Sequence, residues 1–170
     1  GYLGIPPPEP LDLFGERGTG LTRQHLQLVS VRHAVGSQTI FTIPEYMPRL
    51  RLVNTVRHSD SPLKELGAVE LKDVVLCRAE AGKAFTGPPV LRQSSGAVDA
   101  PFEHVRVLNE TSEGLAFVVA TRFKDRMLVL SDTWTADWHA TLNGEPVPLI
   151  PLFDGVLRGV YIPKAGNHTV

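Results

Sequence analysis

The sequence predicts a mainly β protein: a jelly-roll-like β-sandwich with a small N-terminal region of strands and one short helix. Three observations support this fold class. Short apolar segments alternate with turn residues from residue 103 onward, which is typical of antiparallel sheets. Asn143-Gly144 is a strong hairpin signal, because both central residues of a type I′ turn need a positive φ. Residues 115–123 are apolar on both faces, as expected for a strand in the middle of a packed sheet.

The first hundred residues divide into a tether and a smaller subdomain. Residues 1–20 are rich in proline and glycine, which excludes a helix interior and favours an extended linker. Residues 21–100 are predicted to form a strand-rich subdomain that ends in a long loop at 79–101. Its strands are expected, in chain order, at 26–35, 39–43, 49–53 and 73–78, with a turn at Gly36-Ser37. A short helix is expected from Ser61 and Pro62 to Gly67.

Residues 101–170 form the predicted antiparallel sandwich portion, either alone or packed as one domain with residues 21–100. Its strands are expected at 103–108, 115–123, 127–131, 138–142, 147–150 and 156–162. Alternation places Val105 and Val107 toward the core of this portion. The same rule, applied to residues 49–53, directs the leucines inward and the arginines outward.

Bulk composition restricts the function classes. Seventeen basic and eighteen acidic side chains give a net charge of −1, so the charge that nucleic-acid binding requires is absent and no such partner is expected. No apolar run approaches the roughly 18 residues of a membrane-spanning helix, and no signal peptide is recognised. The single cysteine, Cys77, lies in an apolar segment and is predicted to be a buried, inert thiol.

Motifs for catalysis and metal binding are not found in the sequence. The six histidines have no metal-ligand spacing, and no nucleophile elbow, phosphate loop or dinucleotide fingerprint occurs. We therefore predict no catalytic residue, no metal and no cofactor. A glycosidase would need two facing carboxylates, which spacing alone does not reveal.

Arg158 is the first candidate site residue. It shares strand parity with Val156 and Val160, so its side chain is expected on the core side, where a charge must be paired. Asp132 follows a predicted neighbouring strand with matching parity. The sequence therefore predicts a structural Asp132–Arg158 ion pair with bidentate geometry. The alternative is that Arg158 binds a sugar or phosphate group.

Two tryptophans form the second candidate site. Trp134 and Trp138 could present an aromatic platform to a pyranose ring, with Asp137 and Asn143 hydrogen-bonding its hydroxyls. The structural alternative places Trp138 in the core and leaves Trp134 as a partly covered turn residue. Asp137 and Asn143 are also residues that turns use for conformational reasons.

Residues 127–170 also carry a family resemblance. The relevant segments are Leu128–Asp132 (LVLSD), Trp134, Trp138, Asn143-Gly144 and 157–168, which includes an Arg-containing strand and a Gly-Asn-His sequence. Together they resemble the C-terminal extracytoplasmic end of YfhO-type bacterial membrane proteins, which are large multi-spanning proteins related to glycosyltransferases that use lipid-linked sugars. The sequence departs from the family pattern at Ala136, Asp137, Asn143 and Asn167.

The resemblance implies a non-catalytic accessory domain, tethered to the extracytoplasmic face of a bacterial cell membrane. Its partners would be the membrane portion of the same polypeptide and a glycan or cell-envelope polymer, and its role that of a structural cap or a glycan holder. The chemistry would lie in the membrane portion. The alternative function is a stand-alone carbohydrate-binding module.

Overall fold

The computed structural model describes residues 23–35, 40–43, 46–78 and 103–170, and it confirms the mainly β prediction. The chain divides into two compact units, residues 1–47 and residues 48–170. This division differs from the expected boundary between residues 100 and 101, because a strand at 50–53 pairs with one at 126–130 and so joins the two parts of the second unit. The predicted tether at 1–20 and the loop at 79–101 lie outside the described residues.

The described residues of the first unit form one short helix, α1 (Arg23–Leu28), and the antiparallel pair β1 (His33–Val35) and β2 (Ile40–Thr42). The expected strand at 26–35 is therefore wrong in its first part. The helical sequence RQHLQL has no β-branched residue, and its Leu, Gln and Arg side chains lose little freedom in a helix. The Gly36-Ser37 turn lies outside the described residues.

The second unit contains eleven strands among its described residues. They are β3 (Leu50–Val53), β4 (Thr55–His58), β5 (Val74–Cys77), β6 (His104–Glu110), β7 (Leu115–Thr121), β8 (Arg126–Leu130), β9 (Ala140–Leu142), β10 (Glu145–Val147), β11 (Leu149–Leu152), β12 (Leu157–Ile162) and β13 (Gly166–Thr169). The four-stranded sheet has the order β11-β12-β8-β3, and the three-stranded sheet has the order β13-β7-β6; both are antiparallel. β4 and β5 form a parallel pair.

The main core lies between these two sheets, which gives the unit its sandwich character. We call the side of the four-stranded sheet that faces the three-stranded sheet its inner face. Strand alternation determines which residues contribute to that face. The buried apolar residues of the core, from both sheets and from β9, are Leu52, Phe117, Val119, Leu128, Leu130, Leu142, Val160 and Ile162. β7 lies in the middle of its sheet, as predicted, but the jelly-roll arrangement is not confirmed.

The predicted hairpin turn is present between β9 and β10. Asn143 and Gly144 have φ angles of 55° and 86°, as a type I′ turn requires. The expected return strand at 147–150 is wrong, because β10 ends at Val147 and Leu149 begins β11 in another sheet. Pro148 separates the two strands and has no N–H to continue a ladder.

The expected helix at 61–67 is also wrong. The backbone forms turns over residues 62–65 and one 3₁₀ turn at Leu66–Ala68. The i→i+3 bonds from Lys64 N–H to Ser61 O and from Ala68 N–H to Glu65 O define these tight turns. A segment closed by Gly67 is too short to nucleate a stable α-helix.

Two side chains do not have the expected exposure. Arg51 lies opposite the leucines of β3, as alternation requires, but it is buried rather than directed to solvent. Val107 has the inward parity and pairs with buried Phe117, yet 44% of it is exposed, because β6 is an edge strand.

None of the helices within the described ranges combines the length and apolar character that crossing a membrane would demand.

Candidate functional site

The structure brings Arg158 and Asp132 together on the inner face of the four-stranded sheet. β12 pairs with β8, so that Arg158 lies opposite Leu130, two residues before Asp132. Arg158 Nη2 donates a hydrogen bond to Asp132 Oδ2 at 2.9 Å. The Arg158 side chain is 5% exposed and the Asp132 side chain 21% exposed. The ion pair therefore lies at the edge of the core, with the arginine inside and the carboxylate facing outward.

The bidentate partner of Asp132 is Arg49 rather than Arg158. Arg49 Nε and Nη2 donate to the two Asp132 oxygens, each at 2.8 Å. Arg49 Nη1 also donates to Glu110 Oε1 at 2.6 Å. Hydrogen bonds from Arg49 lower the pKa of Asp132 against the opposing effect of burial, and Arg158 lowers it further. Two arginines and two carboxylates thus form a charge-balanced cluster, which we call the Asp132 cluster (Arg49, Glu110, Asp132 and Arg158).

A second ion pair lies at the other end of the inner face. Arg126 Nε donates to Glu103 Oε1 at 3.0 Å, and the two side chains are only 1% and 3% exposed. The Thr121 hydroxyl donates to the same oxygen at 2.7 Å, and the Arg126 guanidinium lies 4.7 Å from the centre of the Phe123 ring. This pair is more deeply buried than Arg158 and Asp132.

The two arginine–glutamate contacts connect opposite ends of β6 to the four-stranded sheet. Glu103 directly precedes β6 and binds Arg126 of β8, whereas Glu110 ends β6 and binds Arg49, the residue before β3. Since β6 belongs to the three-stranded sheet, each contact connects the two sheets. The sandwich is therefore held by charge at both ends of this edge strand, in addition to the apolar core.

Both tryptophans make contacts within the protein. The Arg158 Cζ atom lies 4.3 Å from the centre of the Trp138 ring, a cation–π arrangement. Trp134 Nε1 donates to the Leu149 carbonyl at 3.1 Å. Both side chains are half-buried. One face of Trp138 is thus covered, and the polar group of Trp134 is occupied.

The two predicted hydroxyl-binding residues lie in turns. Asn143 uses both ends of its amide: Oδ1 accepts from Thr169 N–H at 2.9 Å, and Nδ2 lies 3.1 Å from His168 Nδ1. Asp137 is exposed in the turn before Trp138. The structure gives Asn143 a role in joining the hairpin to β13, and it places Asp137 apart from that contact network.

A partly open pocket of about 160 Å³ lies beside the Asp132 cluster. We call it the inter-sheet pocket. Apolar side chains from both sheets form most of its wall, and its polar lining residues are Arg158, Trp138, His139 and Thr141. Its lining is Leu115, Phe117, Leu130, Trp138, His139, Ala140, Thr141, Leu149, Arg158, Val160 and Val170.

Arg51 is a buried arginine that differs from the others. It is 8% exposed, and its Nε and Nη2 atoms have no hydrogen-bond partner. Its Nη1 contacts are long, at 3.4 Å to Pro48 O and 3.2 Å to Ser131 Oγ. Burial lowers the pKa of Arg51 to about 10. Among the described residues, no carboxylate compensates its charge.

Metal-binding and thiol chemistry find little support in the described part of the chain. No group of three or more histidine, cysteine or carboxylate side chains there could hold a metal ion. Cys77 is buried, as expected, and burial raises the pKa of its thiol to about 11. A thiol with a raised pKa is a poor nucleophile at neutral pH.

Sequence reasoning missed most of the charged network. Arg126 has the same strand parity as Leu128 and Leu130, so the argument applied to Arg158 would have placed it on the inner face. Arg49 and Glu110 carry no such signal, because their contacts depend on pairing between residues far apart in the chain.

Comparison with family models, curated proteins and solved structures finds no match for this chain.

Proposed function

We propose that this chain is a non-catalytic extracytoplasmic accessory domain of a YfhO-like multi-spanning membrane protein, and that it acts there as a structural cap. In this role the chain supports a membrane portion that transfers sugars from a lipid carrier. The resemblance of residues 127–170 to such proteins motivates the assignment. The observation that favours a cap over a glycan holder is the internal use of the candidate site residues.

The contacts between the sheets support a structural role. Arg126–Glu103 and Arg49–Glu110 connect the two sheets at opposite ends of β6, and the first of these pairs is buried. A buried charge pair keeps its energy only in a narrow geometry. The Arg126–Glu103 pair therefore favours one relative position of the sheets, and a cap requires this rigidity.

The geometry gives less support to a glycan-holding role. Sugar stacking needs an open aromatic face, and the Arg158 guanidinium covers one face of Trp138. Sugar hydroxyls need free polar groups, and both amide ends of Asn143 are already used. Trp134 and Asp137 remain the residues on which the alternative, a carbohydrate-binding module, would depend.

The charge state of Asp132 argues against a role as general acid. A general acid in glycoside hydrolysis needs a raised pKa, whereas the pKa of Asp132 is lowered by Arg49 and Arg158. Its neighbour Glu110 is likewise bound to Arg49. Asp132 binds Arg49 and Arg158 along the four-stranded sheet, and Glu110 joins β6 to Arg49.

The coding sequence upstream of Gly1 tests the membrane context. We expect it to encode several membrane-spanning helices in the same reading frame. A stop codon directly upstream, with no such helices, would contradict the proposal.

Oligosaccharide titration separates a cap from a carbohydrate-binding module. We expect no saturable binding of cell-envelope oligosaccharides to the chain, followed by isothermal calorimetry. We also expect Trp134→Ala to lower stability, because Leu149 O loses its hydrogen-bond donor, by roughly 1–3 kcal/mol. Saturable binding that Trp134→Ala abolishes while the fold persists would favour the module instead.

A further inference from the structure

The inter-sheet pocket has the size and lining of a small-molecule site. Its volume is about 160 Å³, and an apolar protein cavity of about 150 Å³ is large enough to bind benzene. Eight of its eleven lining residues lie on β7, β8, β9, β11 and β12, so both sheets position the site, whereas Trp138, His139 and Val170 lie outside the strands. A pocket built on strands holds a fixed shape better than one built on loops.

The polar residues that line the pocket are Arg158, Trp138, His139 and Thr141, and Arg158 is the one that carries a guanidinium. Arg158 lines the pocket and donates through Nη2 to Asp132, which is the hydrogen bond it makes among the described residues. Arginine has five N–H donors and no acceptor. A ligand that enters beside Arg158 is therefore best matched by a hydrogen-bond acceptor.

The charge balance of the Asp132 cluster argues against an anionic ligand. Asp132 and Glu110 already compensate Arg49 and Arg158. A ligand carboxylate at Arg158 would lie close to Asp132 and would leave the cluster with an uncompensated negative charge. A monosaccharide is also a poor match, because its several hydroxyls would face the apolar side chains of Phe117, Leu130 and Val160.

We propose that the inter-sheet pocket binds a small uncharged molecule that has a benzene-sized apolar ring and one hydrogen-bond acceptor. The ring enters between Phe117, Leu130 and Val160, and the acceptor receives a hydrogen bond from Arg158. Trp138 lies at the side of the ligand and packs on the same guanidinium. This site does not depend on the proposed cap function.

Titration with benzyl alcohol, followed by two-dimensional NMR of the full 170-residue chain, tests the proposal. We expect saturable shifts of the Trp138 indole and of the Ala140 and Leu149 amides. Benzoate has the same ring with a carboxylate, and we expect it to bind about tenfold more weakly because of Asp132. Glucose should produce no saturable shift.

Two alanine variants separate pocket binding from general surface binding. Ala140→Leu adds bulk in the pocket wall and should weaken benzyl alcohol binding by about tenfold or more. Ala116→Leu adds the same bulk on β7 with the opposite strand parity to Leu115 and Phe117, and it should leave the affinity unchanged.

Three results would overturn the proposal. The first is the absence of saturable shifts in the wild-type chain. The second is equal or tighter binding of benzoate. The third is equal weakening in both alanine variants. The comparison of benzyl alcohol, benzoate and glucose on the wild-type chain tests the proposal even if a variant fails to fold.

Discussion

Three buried arginines in one sheet differ in how their charge is compensated. Arg126 and Arg158, on the inner face, are 1% and 4% exposed, and each binds a carboxylate. Arg51, on the opposite face, is 8% exposed and has no carboxylate partner among the described residues. All three arginines lie in the same sheet, so the difference in their charge compensation comes from the groups that each face of the sheet contacts.

The comparison shows that burial alone does not make an arginine stabilising. A buried charge loses its hydration, and only a close counter-charge with good geometry offsets that loss. The inner face supplies such counter-charges from β6 and from the end of β8. Arg51 has only long contacts with neutral oxygens. We therefore expect the two faces to respond oppositely when the charge is removed.

The largest expected effect comes from breaking the deepest pair. Glu103→Gln keeps the side-chain shape but removes the carboxylate that binds buried Arg126, and we expect a loss of about 3–5 kcal/mol in the free energy of unfolding. Urea denaturation measures this. Glu113→Gln, at an exposed position between β6 and β7, is the matched control, with an expected change within about 0.5 kcal/mol. A similar small change in both variants would show that the pair contributes little.

A double-mutant cycle tests the pair at the core edge. Arg158→Leu and Asp132→Leu should each lower the free energy of unfolding, by about 1–3 kcal/mol, because the first removes one charge-assisted hydrogen bond and the second removes three. The effect is smaller than that of Glu103→Gln, since Asp132 is partly exposed and is also held by Arg49. We expect a coupling energy of about 0.5–1.5 kcal/mol. Simple additivity would mean that the two side chains do not interact energetically.

The acid dependence of stability should identify Asp132. Its pKa is lowered in the folded state, by Arg49 first. The stability it contributes is therefore complete above its unfolded pKa and is lost as the pH falls through the lower folded pKa. The difference in the free energy of unfolding between wild type and Asp132→Asn should be constant near neutral pH and shrink below about pH 4. A difference that persists unchanged in acid would contradict this assignment.

The smallest expected effect is that of the exposed contact between the sheets. Arg49 and Glu110 are 46% and 47% exposed, so Glu110→Gln should cost less than about 1 kcal/mol and the loss should decrease in high salt. The comparison is the ion pair Arg57–Glu65, which is similarly exposed, at 46% and 42%. It joins β4 to the turns that follow it rather than one sheet to the other. A loss of several kcal/mol that persists in salt would assign Glu110 a larger structural role.

Local signals in the sequence predicted part of this fold. Asn143-Gly144 encodes its own turn, because the requirement for positive φ acts on those two residues alone. The position of Arg158 followed from alternation within one strand. The expected strand at 147–150 was wrong because Pro148 divides it between two sheets, which single-strand periodicity does not reveal.

The remaining errors concern long-range contacts. Alternation correctly separates Arg51 from the leucines of β3, but it does not tell whether the opposite face is covered. The bidentate contact of Arg49 with Asp132 joins residues 83 positions apart, and no local pattern encodes such a pair. Of the four residues of the Asp132 cluster, only Asp132 and Arg158 could therefore be predicted from the sequence.

Replacing each arginine by methionine, which is also long and unbranched, gives the most direct comparison of the two faces. We expect Arg158→Met to lower the free energy of unfolding, because Asp132 loses a donor and Trp138 loses its cation. We expect Arg51→Met to raise it, by about 1–3 kcal/mol, because a desolvated charge is replaced by apolar atoms. Changes of opposite sign in the free energy of unfolding, measured by urea denaturation at neutral pH, would support the difference between the two faces. A loss of stability in both variants would contradict it.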